Sequence, residues 1–380
     1  MNADIEYDIA IIGGGLAGLT LAIQCADAGY SVVLFEKEKY PFHKVCGEYI
    51  SNESKPFLTR LGIPIPEWNL PAISQLLITD NYGQAYPFTL DLGGFGISRF
   101  RLDNALYQLA LQKKVLIYSG TKVLNVVYEN NYFMIEATNG NFSAKVTVGS
   151  FGKRSNFDIQ WKRILSSSEN NKAETKFIGV KYHIRYPFPS HQIALHNFKN
   201  GYCGISMVED NKCCLCYLTT TDNLRRSGNR INVMEEDILF QNPFLKKIFT
   251  EAEFLYTSPQ VIAEVSFAPK TQVHNRVLMV GDAAGLITPL CGNGMSMALH
   301  ASILAFNVID MFLQEKINRN EMEHLYSKLW QHHFKRRLWV GRQVQSLMGS
   351  QWLTSATLKV LHMLPTLTKK VIASTHGQPF

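Results

Sequence analysis

The sequence predicts an α/β chain whose parallel sheet carries a second, mostly antiparallel sheet as an insertion, closed by C-terminal helices. Three observations lead there. A short apolar strand, Ile9 to Ile12, runs into Gly13, Gly15 and Gly18 at G-x-G-x-x-G spacing, then into an Ala-rich helix, a Gly29 stop and a second buried strand, Val32 to Phe35. Far downstream, a strand at 276–280 leads into Gly281-Asp282-Ala283-Ala284-Gly285, then Pro289, Gly292, Gly294 and a helix from Met295. Between these two signatures, residues 177–218 hold several apolar runs at short spacing, the pattern of antiparallel strands.

Each part of the first signature has a physical job. Gly13 allows the tight turn, Gly15 lets a pyrophosphate approach the backbone, and Gly18 lets helix and strand pack closely. The free N–H groups at the helix start face the phosphates. Glu36, eighteen residues past Gly18, ends the second strand where it can take a ribose hydroxyl pair. Strand, glycines, helix, strand and acid in register make a dinucleotide-binding unit.

Taken in order, residues 37–54 show no periodicity and read as a loop, followed by a short helix near Pro56 to Leu61. Pro64, Pro66 and Pro71 mark a crossing between regions. Residues 75–79 and 84–90 read as two strands of the second sheet, with Asn81-Tyr82-Gly83 as their turn. Gly93, Gly94 and Gly96 then return the chain, and a helix runs from Arg99 through Gln112. Strands at 115–118, 121–128, 132–138 and 141–148 follow, then a loose polar stretch at 166–175. Residues 234–250 read as one helix, 261–267 as a further strand, and helices fill the chain from about Glu321. The expected division is a discontinuous nucleotide-binding domain (1–74, 97–165 and 268–320), a substrate domain (75–96 and 166–267) and a helical region (321–380).

Composition narrows the setting. A chain of 380 residues, 46% hydrophobic, suits two packed domains. No run reads as a membrane span, and Asp4, Glu6 and Asp8 stand where a signal peptide needs positive charge. Seven cysteines, odd in number and irregularly spaced, point to a reducing, cytoplasmic setting rather than a disulfide framework. Of the net charge of +7, residues 331–380 supply all, with seven Lys/Arg and no Asp or Glu. Such a tail suits an anionic membrane face, which would make the chain peripheral to the inner membrane, or an acidic partner; it equally suits a solvated helical face. No nucleic-acid partner is expected.

Glycines 13, 15 and 18, Glu36 and the downstream VGDAAGLITPLCGNGMSMAL together resemble one flavoprotein superfamily. It holds the aromatic hydroxylases related to p-hydroxybenzoate hydroxylase, the geranylgeranyl reductases and the flavin-dependent halogenases. KVCGEYIS at 44–51 and ISRFRLDNAL at 97–106 are most similar to the geranylgeranyl reductase branch. The resemblance spans residues 5 to about 310. It implies a Rossmann-like, glutathione-reductase-type domain binding FAD noncovalently, with a substrate sheet inserted. The cofactor contacts it implies are Gly13, Gly15, Gly18, Glu36, Arg99, Gly281, Asp282, Pro289, Gly292, Gly294 and Met295. Asp282 would accept from a ribityl hydroxyl. Gly292 to Met295 would offer N–H groups to the flavin edge that gains negative charge on reduction. Arg101, two residues beyond Arg99, could share the latter's role.

Three departures bear on chemistry. The family's Asp-Gly pair is replaced in Gly149-Ser150-Phe151-Gly152-Lys153-Arg154-Ser155, which weakens the case for direct NADPH handling and leaves a separate electron-donor protein open. Gly201-Tyr202-Cys203-Gly204-Ile205-Ser206 stands in the glycine- and aromatic-rich strand, and the tryptophans and Ile-Pro of the halogenase signature are absent, which argues against halogenation. Cys291 sits in the turn that would face the flavin.

Cys46 matches a cysteine that lies near flavin and substrate in the reductases. With Lys44 and His43 beside it, its thiol could protonate a carbanion; as a small hydrophobe it could equally be packing. In Cys213-Cys214-Leu215-Cys216 the outer cysteines point to opposite faces of a strand, so no metal site is expected. His332 and His333 read as solvent-exposed, and Trp352, Leu353, Leu358, Leu361 and Leu364 as the face of a docked helix. The expected function is an FAD-dependent oxidoreductase acting on an apolar small molecule, prenyl or polyketide-like, by C=C reduction. The alternative is an aromatic monooxygenase, and a third possibility is a noncatalytic flavin- or lipid-binding protein.

Overall fold

The structure is a computed structural model and describes residues 6–153, 155–163, 176–288, 292–347 and 351–380. Two sheets organise it. In the first, of eight strands, Glu6–Ile12 lies at the centre, parallel to Val32–Glu36 on one side and to Gly140–Gly149 on the other. Leu116–Ser119 and Val277–Met279 extend it outward in the same direction. Ile9, Ala10, Ile11, Val33 and Leu34 are wholly buried, as a parallel strand covered on both faces requires. The strands Val123–Glu129 and Tyr132–Ala137 join as an antiparallel hairpin against Gly140–Gly149.

The second sheet has nine strands and is antiparallel except where Gln192–Phe198 runs beside Ala72–Thr79. Its centre is the meander of Phe177–Arg185, Cys213–Thr220, Gly201–Met207 and Gln192–Phe198. Val180, Phe198, Cys203 and Tyr217 pack with Met234 and Ile248, from helices Ile231–Ile238 and Pro243–Glu251. On its other face Leu195, Tyr202 and Leu218 form a separate cluster.

Several expectations change. Residues 37–54 are not all loop: Tyr49–Ser51 forms an edge strand of the second sheet, paired with Phe95, and Asn52–Ser54 a helical turn. Gly93, Gly94 and Gly96 do not return the chain but prolong the strand Ala85–Gly96. A Cβ on Gly96 would lie 1.8 Å from the Met207 carbonyl oxygen, so glycine there serves a close approach rather than a turn. The expected helix 234–250 is broken at Asn242-Pro243, where the Asn242 side chain caps a new helix by accepting from Phe244 N. The stretch 166–175 lies outside the described residues.

Among the described residues one helix, Gly294–Leu313, is long and apolar enough to cross a membrane by length and composition alone, contrary to the reading that no run is. Ser302 and Asp310 interrupt the apolar run, which hid it from the eye. They are tied to Thr20 and Tyr30, because this helix packs in the core against Leu16–Asp27. Arg319–Leu347 covers its other side, followed by Gln351–Met363 and Pro365–Thr375.

Candidate active site

A cavity of about 1360 Å³ opens between the two sheets. That exceeds the usual range for a single small ligand, roughly 300–1,000 Å³. It has room for a dinucleotide and a substrate end to end.

Its first end is the glycine turn. Gly13 has φ +109°, and a Cβ there would lie 2.5 Å from the Ser150 carbonyl oxygen, so the turn accepts no side chain. A Cβ on Gly18 would lie 2.1 Å from the Gly13 oxygen; Gly18 sits behind the cavity wall and serves helix–strand packing. Gly15 is the N-cap of Leu16–Asp27 with no side-chain cap, leaving the helix N–H groups open for phosphate. Two cations stand over this turn: Lys44 Nζ and Arg99 Nη2 lie 3.6 and 3.8 Å from where a Gly15 Cβ would be. Asp103 holds both, meeting Arg99 through two hydrogen bonds and Lys44 at 3.1 Å. Glu36 is buried at the end of its strand and accepts from Gly14 N at 2.8 Å and Glu38 N at 3.1 Å.

The other end is the second signature. Gly281 and Asp282 open a tight turn after Val277–Met279, Ala283 and Ala284 are buried beneath it, and Gly294 and Met295 begin the core helix. Gly13, Gly15, Glu36, Arg99, Cys46, Gly281, Asp282, Gly292, Gly294 and Met295 all line the one cavity. Pro289 and Cys291 lie outside the described residues. An uncapped helix start, paired cations, strand-end carboxylates and a turn without side chains fit FAD along its whole length.

One sequence reading is corrected by packing. Arg101 turns away to lie on the Trp68 ring, 4.9 Å from its centroid, and does not share the place of Arg99. Phe151 packs on Phe157, and Arg163 lies over its ring at 5.9 Å. Arg163, wholly buried, is taken by Asp158 at 2.8 Å and donates to the carbonyls of Thr271 and Ala283, bracing the Gly281 turn from behind.

The sequence reading missed the groups around Cys46. Glu48, two residues on, is fully buried and accepts from Arg99 N at 2.8 Å, Lys181 Nζ at 2.5 Å and His183 Nε2 at 2.6 Å. Burial alone would raise its pKa, but the Lys181 ammonium and the His183 hydrogen bond outweigh burial and hold it at about 2. One local sign was the strand Phe177–Arg185 itself, where Lys181, His183 and Arg185 put three basic residues on one face. Asp103 was equally findable, four residues past Arg99 on a helix. Glu48, His183 and Cys214 offer metal-type donors within 4.8 Å of one another. The donors of Glu48 and His183 are already spent on each other, with an ammonium at the same carboxylate, which makes a hydrogen-bonded network of this group. Cys214 is buried deeply enough to push its thiol well above the ordinary value, and burial raises Cys216 to about 12, so both stay protonated at neutral pH.

At the C-terminal end the expected docked face divides. Leu358 is fully buried near Tyr86, while Trp352, Leu353 and Leu364 are exposed. His333 is half-buried against His300, rather than exposed beside His332.

Fold and site together define an FAD-dependent oxidoreductase. Residues 8–43 match the FAD binding domain family. Residues 143–350, more than half of the chain, match the family described as squalene epoxidase, and the chain belongs to that family. Among curated relatives, a 1H-pyrrole-2-carbonyl-[peptidyl-carrier protein] chlorinase of Pseudomonas fluorescens is 22% identical, over 85% of this chain and 80% of its own. A digeranylgeranylglycerophospholipid reductase of Methanosphaerula palustris is 24% identical over 80% and 76%. Among solved structures, the flavin-dependent halogenase CmlS superposes with a TM-score of 0.79 at 16% identity, covering 99% of this chain and 74% of that one. A geranylgeranyl bacteriochlorophyll reductase-like protein of Thermoplasma acidophilum gives 0.76 at 20%, covering 99% and 96%. At such identities the superpositions show the shared fold.

Proposed function

We propose that this enzyme reduces a C=C bond in an apolar, isoprenoid-like substrate, with Cys46 as the proton donor. The observation that carries the reading is the placement of Cys46. It lines the same cavity as the residues that fit FAD and as Ile193, Leu195, Ile205 and Ile262 of the second sheet, and its carbonyl accepts from Cys214 of that sheet. Those four residues make an apolar wall, which suits a hydrocarbon chain. The reductase relative and the family description both name isoprenoid substrates, which supports the same substrate class. Reduced FAD supplies the hydride when bound. The wall orients the alkene and excludes water, and the Cys46 thiol hands its proton to the other alkene carbon, to be reprotonated from solvent.

The family description favours a second reading, transfer of an oxygen atom from O₂ to the same kind of substrate. Reduced protein incubated with geranylgeranyl lipid separates the two. A product heavier by two mass units, formed without oxygen and lost in Cys46→Ser, supports reduction. A product heavier by sixteen, formed only with oxygen, supports the second reading and refutes the first.

For partners, we infer contact with an anionic membrane surface through the C-terminal helices. Trp352, Val360, Met363, Leu364 and Leu367 are exposed there beside Lys359, Lys369 and Lys370. An apolar stripe with basic neighbours suits the interface of acidic lipid. Binding to acidic vesicles that falls steeply with salt supports it; equal recovery with neutral vesicles refutes it.

A further inference from the structure

We propose that the second sheet, through Lys181 above all, positions Cys46. Residues 44–48 carry the chain from the cations over the glycine turn to the edge of that sheet, and every carbonyl along the way is taken by a donor from elsewhere. Lys44 O accepts from Lys181 Nζ at 3.1 Å, Val45 O from Lys153 Nζ at 3.3 Å and Cys46 O from Cys214 Sγ at 3.2 Å. Gly47 O accepts from Ser206 Oγ at 3.4 Å and Glu48 O from Ile97 N at 3.0 Å. Three of the five donors, Lys181, Cys214 and Ser206, stand on three adjacent strands of the second sheet.

Lys181 does the most. Its one ammonium bonds the carbonyl at the start of the turn and the carboxylate of Glu48 at its end, closing the five residues into a loop. Glu48 itself holds φ +56°, a left-handed conformation that a non-glycine residue keeps only where its surroundings fix it. With the backbone held on both sides, the point from which the Cys46 side chain projects is held too. Lys181 is therefore a positioning residue, acting through Cys46.

This inference rests on the reading that Cys46 serves the reaction, but its test needs no turnover. The FAD-loaded protein is treated with N-ethylmaleimide, and the alkylation rate of each cysteine is followed by peptide mass mapping. The buried Cys25 and Cys203 report general loosening. Lys181→Met should raise the Cys46 rate at least tenfold with Cys25 and Cys203 unchanged. The double variant Ser206→Ala, Cys214→Ala, which leaves the buried ion pair intact, should raise it at least threefold, and it decides alone if Lys181→Met does not fold. Cys46 rates within twofold of the unmodified protein, or Cys25 and Cys203 rising in step with Cys46, would overturn the proposal. A catalytically idle Cys46 would show separately, as unchanged turnover in Cys46→Ser.

Discussion

Arg99 and Asp103 stand one helical turn apart and meet through two parallel hydrogen bonds, Nε to Oδ1 and Nη2 to Oδ2, both 2.7 Å. Lys44 shares the second oxygen. One buried carboxylate thus holds two cations and leaves a single net positive charge above the turn that suits a pyrophosphate. Asp103→Asn keeps the shape and removes the charge that keeps the two cations together. Breaking a buried pair this way costs about 3–5 kcal/mol of fold stability. We expect a lower melting temperature and FAD affinity weaker by at least tenfold, read by flavin fluorescence titration. Unchanged affinity would mean the two cations do not serve the cofactor.

Asp282 makes a simpler case. If it accepts from a ribityl hydroxyl, Asp282→Ala removes a charge-assisted hydrogen bond worth about 2–3 kcal/mol. Flavin occupancy after dialysis should fall accordingly, with the melting temperature of the flavin-free protein little changed. Full occupancy in the variant would remove Asp282 from the cofactor site.

Acid should act first through buried histidines. Burial lowers the pKa of His196 to about 4, and it lies stacked on Phe244 with its Nδ1 bonded to Thr79. The unfolded chain takes up this proton near pH 6.5 and the folded one only near 4, so stability falls as pH drops through that window. The loss is on the order of 3 kcal/mol for this residue. Glu48 adds a second loss lower down, between its ordinary value near 4.3 and about 2. Urea denaturation at pH 7.5, 5.5 and 4.5 should show the first decline, and His196→Gln should reduce it, leaving the share of His43 and His300, which burial also lowers to about 4. A variant that keeps the full slope would assign the decline to other groups.

Electron supply is one point where the sequence departs from the pattern it resembles. Phe151 can neither accept a hydrogen bond nor bind an anion's counter-charge, and the arginine beside it is committed to Asp158 and two carbonyls. Flavin reduction by NADPH alone should therefore be slow, and reduction by dithionite or a separate reductase much faster. Phe151→Asp should raise the NADPH rate. Stopped-flow bleaching of the flavin band checks this; fast, saturable reduction by NADPH in the unmodified protein would show that Phe151 is no handicap.

The glycine turn and its helix were legible because their signals are local: Gly13, Gly15 and Gly18 act through their own backbone and immediate neighbours. The strand Tyr49–Ser51 was not, because three residues carry no period and its partner strand lies more than forty residues away at Gly94 to Gly96. Asn242 broke a helix that the apolar spacing alone would continue, a case of capping chemistry overriding periodicity. The Glu48 network was legible only in part, for a different reason. Its members come from residues 48, 99, 181 and 183, and nothing in a sequence states that a loop and a strand more than a hundred residues apart will meet. Arg163 shows the same limit: its pairing with Asp158 beside Phe151 is visible only in three dimensions.

The Glu48 carboxylate joins a loop and a helix start of one lobe to a strand of the other, without water access. Neither lobe can open on its own without stranding a charge on each side of the break, which costs several kcal/mol. Calorimetry should then record a single endotherm, with flavin release, loss of the parallel sheet and loss of the antiparallel sheet coinciding, where two lobes joined only by polypeptide would melt in sequence.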